Sequence, residues 1–216
     1  VVLTLDAPDG ESSEAYTLDI APDHIQIGSS TCGGVFNGLQ QLFRLLPPEV
    51  YARRGIAPGT GIACVRIEDK PRFGYRGMML DVARTWIGMD EVKRYIDLFS
   101  YHNINKLHLH LSDDEGWRIE ILSHPELTEI GGFRGGDSPV RPVYGKWSEK
   151  YGGYFKQSEM RELIRYAALR NIEIIPEIDL PGHSRNIASV HPEIRCNYPP
   201  DTVSTNGYDY RSAWCV

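Results

Sequence analysis

The first part of the chain changes from alternating apolar and polar positions to a helical spacing. Residues 13–30 alternate on both sides of a Pro-Asp turn, which predicts a β-hairpin. Residues 61–67 predict one more short strand. Between them, apolar residues form one helical stripe that Pro47 and Pro48 end: Val35, Leu39, Leu42, Phe43 and Leu46. The pattern predicts a small α+β domain over residues 1–70 that lacks its N-terminal strands.

From residue 71 onward, predicted strands and helices alternate. The strands are Tyr75–Ala83, Lys106–Ser112 and Ile172–Leu180. The helices between them carry apolar stripes, formed by Val92, Tyr95, Ile96 and Phe99 and by Leu163, Ile164, Ala167 and Ala168. This order is typical of the α/β class, with right-handed crossovers and a parallel sheet, and it defines a second domain over residues 71–216.

Two further segments bear on the second domain. The long connection 123–157 is rich in glycine and aromatic residues, a length and composition that favour a functional loop over a disordered one. Ser158 is the predicted start of the helix that follows it, without a reciprocal acid at the fourth position. A short helix is predicted at Ser184–Val190.

Charge and cysteine content narrow the classes of partner. The 216 residues carry a net charge of −6 without a basic stripe, so nucleic acid and anionic membranes are poor partners and neutral or cationic ligands fit better. No run approaches the roughly 20 apolar residues of a membrane span. The cysteines lack metal-ligand spacing; a Cys196–Cys215 disulfide and free thiols both remain open.

The stretch Lys106–Arg118 stands out chemically. Leucines alternate with His108, His110 and Ser112, and the strand stops at Asp113 and Asp114. Burying imidazoles and clustering acids costs solvation free energy, which indicates a functional site. The alternative is an acidic, helix-capping loop after a core strand.

Polar residues also follow the other two strands of the predicted parallel sheet. Arg84 ends the first strand, and Asp179 and His183 follow the third. Each alone has an ordinary structural explanation, but the carboxyl ends of parallel strands share one edge, where α/β folds bind ligands. An Asp–His pair can orient a carboxylic acid, an arginine fork can hold vicinal sugar hydroxyls, and aromatic residues can stack on sugar rings. That combination indicates a glycoside substrate.

Three runs carry a family resemblance: DKPRFGYRGMMLDVAR at 69–84, NKLHLHLSDDEGWRIEI at 105–121 and PEIDLPGH at 176–183. They resemble the family 20 glycoside hydrolases, the β-N-acetylhexosaminidases. The resemblance implies a small α+β domain followed by a (β/α)8 TIM barrel. It also implies retaining hydrolysis of terminal, non-reducing N-acetylglucosamine or N-acetylgalactosamine, without a metal or other cofactor, and export from the cytoplasm.

Site residues follow from the same resemblance. Arg84 is similar to the arginine that binds hydroxyls of the terminal sugar, and Asp113 and His183 to the pair that supports the catalytic acid. Asp179 matches a further carboxylate near the reacting centre. In the family, the substrate's own acetamido carbonyl attacks the anomeric carbon, and an Asp-Glu pair orients that group and supplies the acid.

The sequence departs from the family pattern at two places. Thr85 stands where the family usually has histidine, and no Gly-Gly-Asp-Glu-like motif occurs before Val216. We therefore expect the chain to form the small domain and about three of the eight barrel strands. Alone, it should be inactive and prone to associate, because open parallel-sheet edges would be exposed.

Two rival functions remain open. His108 and His110 form an HxH pair that, with His183 and an aspartate, could bind zinc in a metal-dependent hydrolase. A non-catalytic glycan-binding module could keep the sugar-holding residues without the catalytic acid. The sequence does not indicate an oligomeric state, the preferred sugar or the natural glycan.

Overall fold

The computed structural model describes residues 1–5, 14–51, 59, 61–142 and 145–194. The chain divides into two compact units, one formed by residues 1–76 and 98–105 and the other by residues 77–97 and those from 106 onward. The proposed Cys196–Cys215 disulfide lies outside the described residues. Cys32 and Cys64 are free and exposed.

The first unit contains a four-stranded sheet in the order β1-β3-β2-β4. The predicted hairpin is present: β2 and β3 are antiparallel, with Leu18 opposite Ile27. The third predicted strand begins four residues later and ends two residues later than expected, because its pairing with β2 places Val65 opposite Ile20 and Asp69 opposite Tyr16. The strands are β1 (Val2–Thr4), β2 (Tyr16–Ile20), β3 (Ile25–Gly28) and β4 (Val65–Asp69).

Helix α1 (Cys32–Leu45) packs on this sheet, and a short helix α2 (Pro48–Tyr51) follows it. The Thr31 side chain caps α1 by accepting a hydrogen bond from the Gly34 N–H. Val35 and Leu42 join the core as predicted, but Phe43 is 42% exposed. The face toward the sheet includes Gly38, where a Cβ atom would lie only 2.5 Å from Ile27, so the predicted stripe was placed slightly too far around the helix.

The second unit contains the predicted parallel sheet, in the order β10-β6-β5. Its strands are β5 (Gly77–Asp81), β6 (Lys106–Asp113) and β10 (Glu173–Ile178). Both outer strands are shorter than predicted. β5 ends early because the Asp81 carboxylate accepts the N–H groups of Ala83 and Arg84 and turns the chain. The leucines of β6 are buried, as the alternation predicted.

Helices connect these strands. In α3 (Met89–Tyr101), Val92, Ile96 and Phe99 are buried, whereas Tyr95 is 41% exposed. In α5 (Gln157–Ala168), Leu163 and Ala167 are buried, whereas Ile164 and Ala168 are exposed, so the buried stripe is narrower than predicted. None of the helices in the described ranges is long and apolar enough to cross a membrane.

The start of α5 also differs from the prediction. The helix begins at Gln157, one residue before Ser158, and Lys156 occupies the capping position. The Glu159 carboxylate accepts the backbone N–H of Lys156 at 2.7 Å. A reciprocal acid is therefore present, and the prediction that the helix lacks one is wrong.

The long connection carries secondary structure of its own. Within it, β8 (Phe133–Arg134) pairs with β9 (Tyr151–Gly152), and before it β7 (Gly116–Trp117) pairs with the end of β6. α4 (Glu126–Glu129) lies between β7 and β8, and α6 (Arg185–Val190) follows β10, where a short helix was predicted. A 3-10 turn at Pro192–Ile194 comes after α6.

Candidate active site at the strand ends

The residues singled out by the sequence lie around the carboxylate of Asp113, the last residue of β6. The Arg84 Nη2 is 2.7 Å from Asp113 Oδ2, and His183 Nδ1 is 3.5 Å from Asp113 Oδ1. A carboxylate oxygen of Asp179 lies within 4.8 Å of atoms of Asp113 and His110. The three strand ends therefore bring a guanidinium, two carboxylates and an imidazole to one edge of the sheet.

Arg84 is held by a second carboxylate that the sequence analysis did not assign. Asp81 Oδ2 is 2.8 Å from Arg84 Nη1, while Asp81 Oδ1 accepts the Arg84 backbone N–H at 2.9 Å. Asp81 and Asp113, which lie on two neighbouring strands, thus both form ion pairs with the Arg84 guanidinium. Charge-assisted hydrogen bonds of this kind fix the plane of an arginine fork.

His110 is a buried histidine with a raised pKa. Its side chain is 4% exposed, with Nε2 2.9 Å from Asp113 Oδ2 and Nδ1 2.5 Å from Glu177 Oε2. The hydrogen bond to Asp113 raises the pKa of His110 to about 9, although burial opposes the shift, and Glu177 adds to it. His110 is therefore an imidazolium at neutral pH.

The protonated state of His110 bears on the rival metal-dependent hydrolase. Glu177 Oε2 is also 2.7 Å from His108 Nε2, so one carboxylate bridges the HxH pair. His110, Asp113 and Asp179 have atoms close enough to hold a cation, as do Asp113, Asp114 and His183. Both groups use a carboxylate that already pairs with cationic side chains, so neither fits a metal ion well.

Asp113 is ionised. Burial works to raise its pKa, but the hydrogen bond from His110, the N–H of Asp114 at 2.6 Å and the charges of Arg84 and His183 together lower it. The site therefore centres on a buried carboxylate surrounded by cations and donors.

The neighbouring Asp114 has a different role. Its carboxylate accepts the backbone N–H of Arg185, the first residue of α6, at 3.0 Å. This is the helix-capping alternative considered for the acidic pair. The helix-capping interpretation therefore describes Asp114, whereas the functional role of Asp113 stays a prediction.

A buried arginine supports the turn that carries Arg84. Arg118 is fully buried, and its guanidinium donates to the carbonyls of Val82 and Ala83 at 2.9 and 2.7 Å. It also donates to the carbonyls of Gly132 and Gly153, at 2.5 and 3.0 Å. Burial lowers the pKa of Arg118 to about 10, so it remains a cation at neutral pH.

A buried ion pair also stabilises the turn that carries Arg84. Arg134 Nη1 donates to the Arg84 carbonyl at 2.5 Å and lies 2.7 Å from the buried Glu115 carboxylate. No pattern in the sequence singled out Glu115, Arg118 or Arg134 as site residues. In the sequence, Glu115 and Arg118 lie just after the Asp-Asp pair and Arg134 lies in the long connection, and neither position indicates that these side chains are buried.

Comparison with known proteins identifies the family. Residues 73–215 match the model of the catalytic domain of glycosyl hydrolase family 20, and residues 1–70 match that of domain 2 of the same family. The chain belongs to glycosyl hydrolase family 20.

The family 20 chain resembles curated relatives over most of its length. It is 43% identical to a β-hexosaminidase of Vibrio furnissii over 83% of the chain and 28% of the relative. It is 39% identical to an N,N'-diacetylchitobiase of Vibrio harveyi over 80% of the chain and 20% of the relative. The chain thus spans about a quarter of the length of these relatives.

Solved structures give the same picture for this family 20 chain. A β-N-acetylhexosaminidase of Streptomyces coelicolor superposes with a TM-score of 0.83 at 38% identity, over 99% of the chain and 41% of that protein. An exo-β-N-acetylglucosaminidase of Vibrio harveyi in complex with N-acetylglucosamine superposes with a TM-score of 0.81 at 38% identity, over 94% of the chain and 31% of that protein. The mixed α/β architecture is shared with these proteins.

The family 20 chain has Thr85 where histidine was expected, and Thr85 is exposed. The surrounding turn is held from the long connection instead. Arg134 binds the Arg84 carbonyl, and the Tyr151 hydroxyl donates to the Trp86 carbonyl at 3.0 Å. The turn is therefore positioned by backbone contacts on both sides of Thr85.

Proposed function

We propose that the protein carrying this chain is a retaining glycoside hydrolase that removes terminal, non-reducing N-acetylglucosamine or N-acetylgalactosamine from glycans. The observation that carries the proposal is the convergence of Arg84, Asp113, Asp179 and His183 at one edge of the parallel sheet. Within the same proposal, residues 1–70 form a small α+β domain and residues 71–216 the first part of a (β/α)8 barrel.

The names of the relatives support this substrate class. Similar proteins are named β-hexosaminidase and N,N'-diacetylchitobiase, and one similar structure contains N-acetylglucosamine. Coverage of these relatives is partial, so the activity of the whole protein is part of the proposal.

Arg84 would bind hydroxyl groups of the terminal sugar. The guanidinium is a planar fork of donors, and Asp81 and Asp113 fix its orientation before the sugar arrives. Preorganisation of this kind reduces the ordering that substrate binding must otherwise cause.

Asp113 and His183 would position the catalytic acid. An ionised Asp113 facing Nδ1 of His183 favours the tautomer that carries its proton on Nδ1, so Nε2 is the nitrogen that would contact the acid. Neighbouring charges and hydrogen bonds of this kind tune the pKa of an acid–base residue. Asp179 would add a second carboxylate beside the reacting centre.

The remaining chemistry requires groups not found among these 216 residues. In the proposed mechanism the substrate acetamido oxygen attacks the anomeric carbon, and an Asp-Glu pair orients the acetamide and protonates the leaving oxygen. The chain contributes the sugar-binding and acid-supporting residues. We therefore expect no turnover by the isolated 216-residue chain.

The test is hydrolysis of a chromogenic N-acetylglucosaminide by the protein that carries this chain. Asp113→Asn and His183→Ala should each lower kcat/KM by at least about tenfold, because both residues act on the acid. His24→Ala, which removes an exposed histidine of the first unit, is the control and should leave the rate unchanged.

Two outcomes would count against the proposal. Unaltered rates in both variants would remove Asp113 and His183 from the mechanism. Binding of N-acetylglucosamine without any turnover would favour the glycan-binding module, a function for which a preoriented Arg84 is also suited.

A further inference from the structure

A second cluster of metal-ligating side chains lies on the surface of the second unit, outside the strand-end site. Glu126 Oε1 is 3.2 Å from His124 Nδ1 and 3.1 Å from His191 Nε2. Glu126 is the first residue of α4, and His191 follows the last residue of α6. One carboxylate thus joins imidazoles from two separate segments.

The spacing of these atoms suits a tetrahedral zinc ion. Zinc binds histidine nitrogen and carboxylate oxygen at about 2.0–2.2 Å, so neighbouring ligand atoms in a tetrahedron lie roughly 3.3 Å apart. The two measured separations to Glu126 are close to that value, and all three ligand atoms lie within 4.8 Å of one another. Small side-chain movements would therefore complete the geometry.

A neighbouring carboxylate orients one of the imidazoles. His191 Nδ1 is 2.9 Å from Glu193 Oε1, while its Nε2 faces Glu126. A histidine that ligates zinc usually donates its other ring N–H to a carboxylate or carbonyl, which fixes its tautomer. His191 has this arrangement already.

The backbone holds the ligands in place. The His191 N–H donates to the Ile187 carbonyl at 2.7 Å, and the His124 N–H donates to the Ile121 carbonyl at 3.1 Å. The cluster is thus set on hydrogen-bonded turns.

We propose that His124, Glu126 and His191 bind a zinc ion that joins the start of α4 to the end of α6. Three protein ligands leave a fourth position for water. Because the ion would link two segments of the chain, its binding should stabilise the fold of this region. Among the described residues, the Glu126 carboxylate pairs with neither an arginine nor a buried imidazolium, unlike the carboxylates of the groups that contain Asp113, so this cluster is the better zinc site.

Zinc titration by calorimetry, on the 216-residue chain after chelator treatment, tests the site. We expect one equivalent of zinc to bind. The ligand variants His124→Gln and His191→Gln should each lower the zinc affinity at least about tenfold, and Glu193→Gln, which alters the carboxylate that orients His191, should lower it about tenfold. Asp113→Asn and His24→Gln are the matched controls and should bind zinc like the unaltered chain.

The thermal midpoint of unfolding gives a second readout. Zinc should raise the thermal midpoint of the unaltered chain but not of the histidine variants, because a ligand stabilises the state that binds it.

Three results would overturn the proposal. They are zinc binding that both histidine variants retain, no zinc binding by the unaltered chain, and a loss confined to Asp113→Asn, which would place the ion at the strand ends. None of them depends on glycosidase activity, so the two proposals fail separately.

Discussion

Replacing Asp113 with asparagine should lower the pKa of His110. It should also reduce the loss of unfolding free energy that occurs as the pH rises into the alkaline range. Asp113 is the largest cause of the raised pKa of His110, since its carboxylate accepts from Nε2 at 2.9 Å in a buried setting. Asparagine keeps the size of the side chain but removes the charge. Glu177 remains, so the pKa should fall by at least about one unit without returning fully to its ordinary value.

The size of the effect follows from proton linkage. His110 has a pKa of about 9 when folded and an ordinary value of 6.5, so the folded chain holds an extra proton between those pH values. The stabilisation is complete below about pH 6.5 and is lost as the pH rises through about 9. A difference of about 2.5 units at 1.36 kcal/mol per unit corresponds to about 3 kcal/mol.

Two measurements check this. Histidine side-chain NMR follows the pKa of His110 directly, and urea unfolding at about pH 6 and about pH 9.5 gives the change in unfolding free energy. The loss between the two pH values should be smaller in Asp113→Asn by at least about 1 kcal/mol.

An exposed pair serves as the control. His24 Nδ1 lies 2.8 Å from Asp23 Oδ1, but the two side chains are 44% and 85% exposed, so Asp23→Asn should leave stability nearly unchanged. An unaltered chain in which His110 titrates near 6.5, or a His110 pKa that is the same in Asp113→Asn, would refute the reasoning.

Two substitutions test the support of the Arg84 turn. Arg118→Met should lower the free energy of unfolding in urea by at least about 3 kcal/mol, because it leaves several buried carbonyls without a hydrogen-bond donor. The control Arg66→Met, at an exposed ion pair, should lower it by less than about 1 kcal/mol. Equal losses in the two variants would contradict the buried role of Arg118. Gly153→Ala should lower the free energy of unfolding by about 1–3 kcal/mol in thermal unfolding, since its Cβ atom would lie 2.4 Å from an indole ring. Gly182→Ala is the control, because a Cβ atom there meets nothing within 4 Å. A Gly153→Ala chain as stable as the unaltered one would contradict the close packing.

Much of the second unit follows from local pattern. Alternation along β6 predicted which leucines are buried, and the order of strands and helices predicted a parallel sheet. Because parallel strands end at one edge, Arg84 and Asp113 could be expected to meet although they lie far apart in the chain.

Other features depended on contacts that no local pattern encodes. The register of β10 against β6 places Glu177 opposite His110, and this pairing puts one carboxylate between the two histidines of the HxH motif. The close approach at Gly38 likewise decided that Phe43 faces solvent.

The amino-acid sequence by itself determined the strand and helix order, the buried leucines of β6 and the family to which the chain belongs, because these depend on periodicity and on short motifs. Only the tertiary structure decided the ionisation of His110, the burial of Arg118 and the separate roles of Asp113 and Asp114. The physical reason is that charge state and hydrogen-bond partner depend on which distant groups share a low-dielectric space, and folding alone brings those groups together.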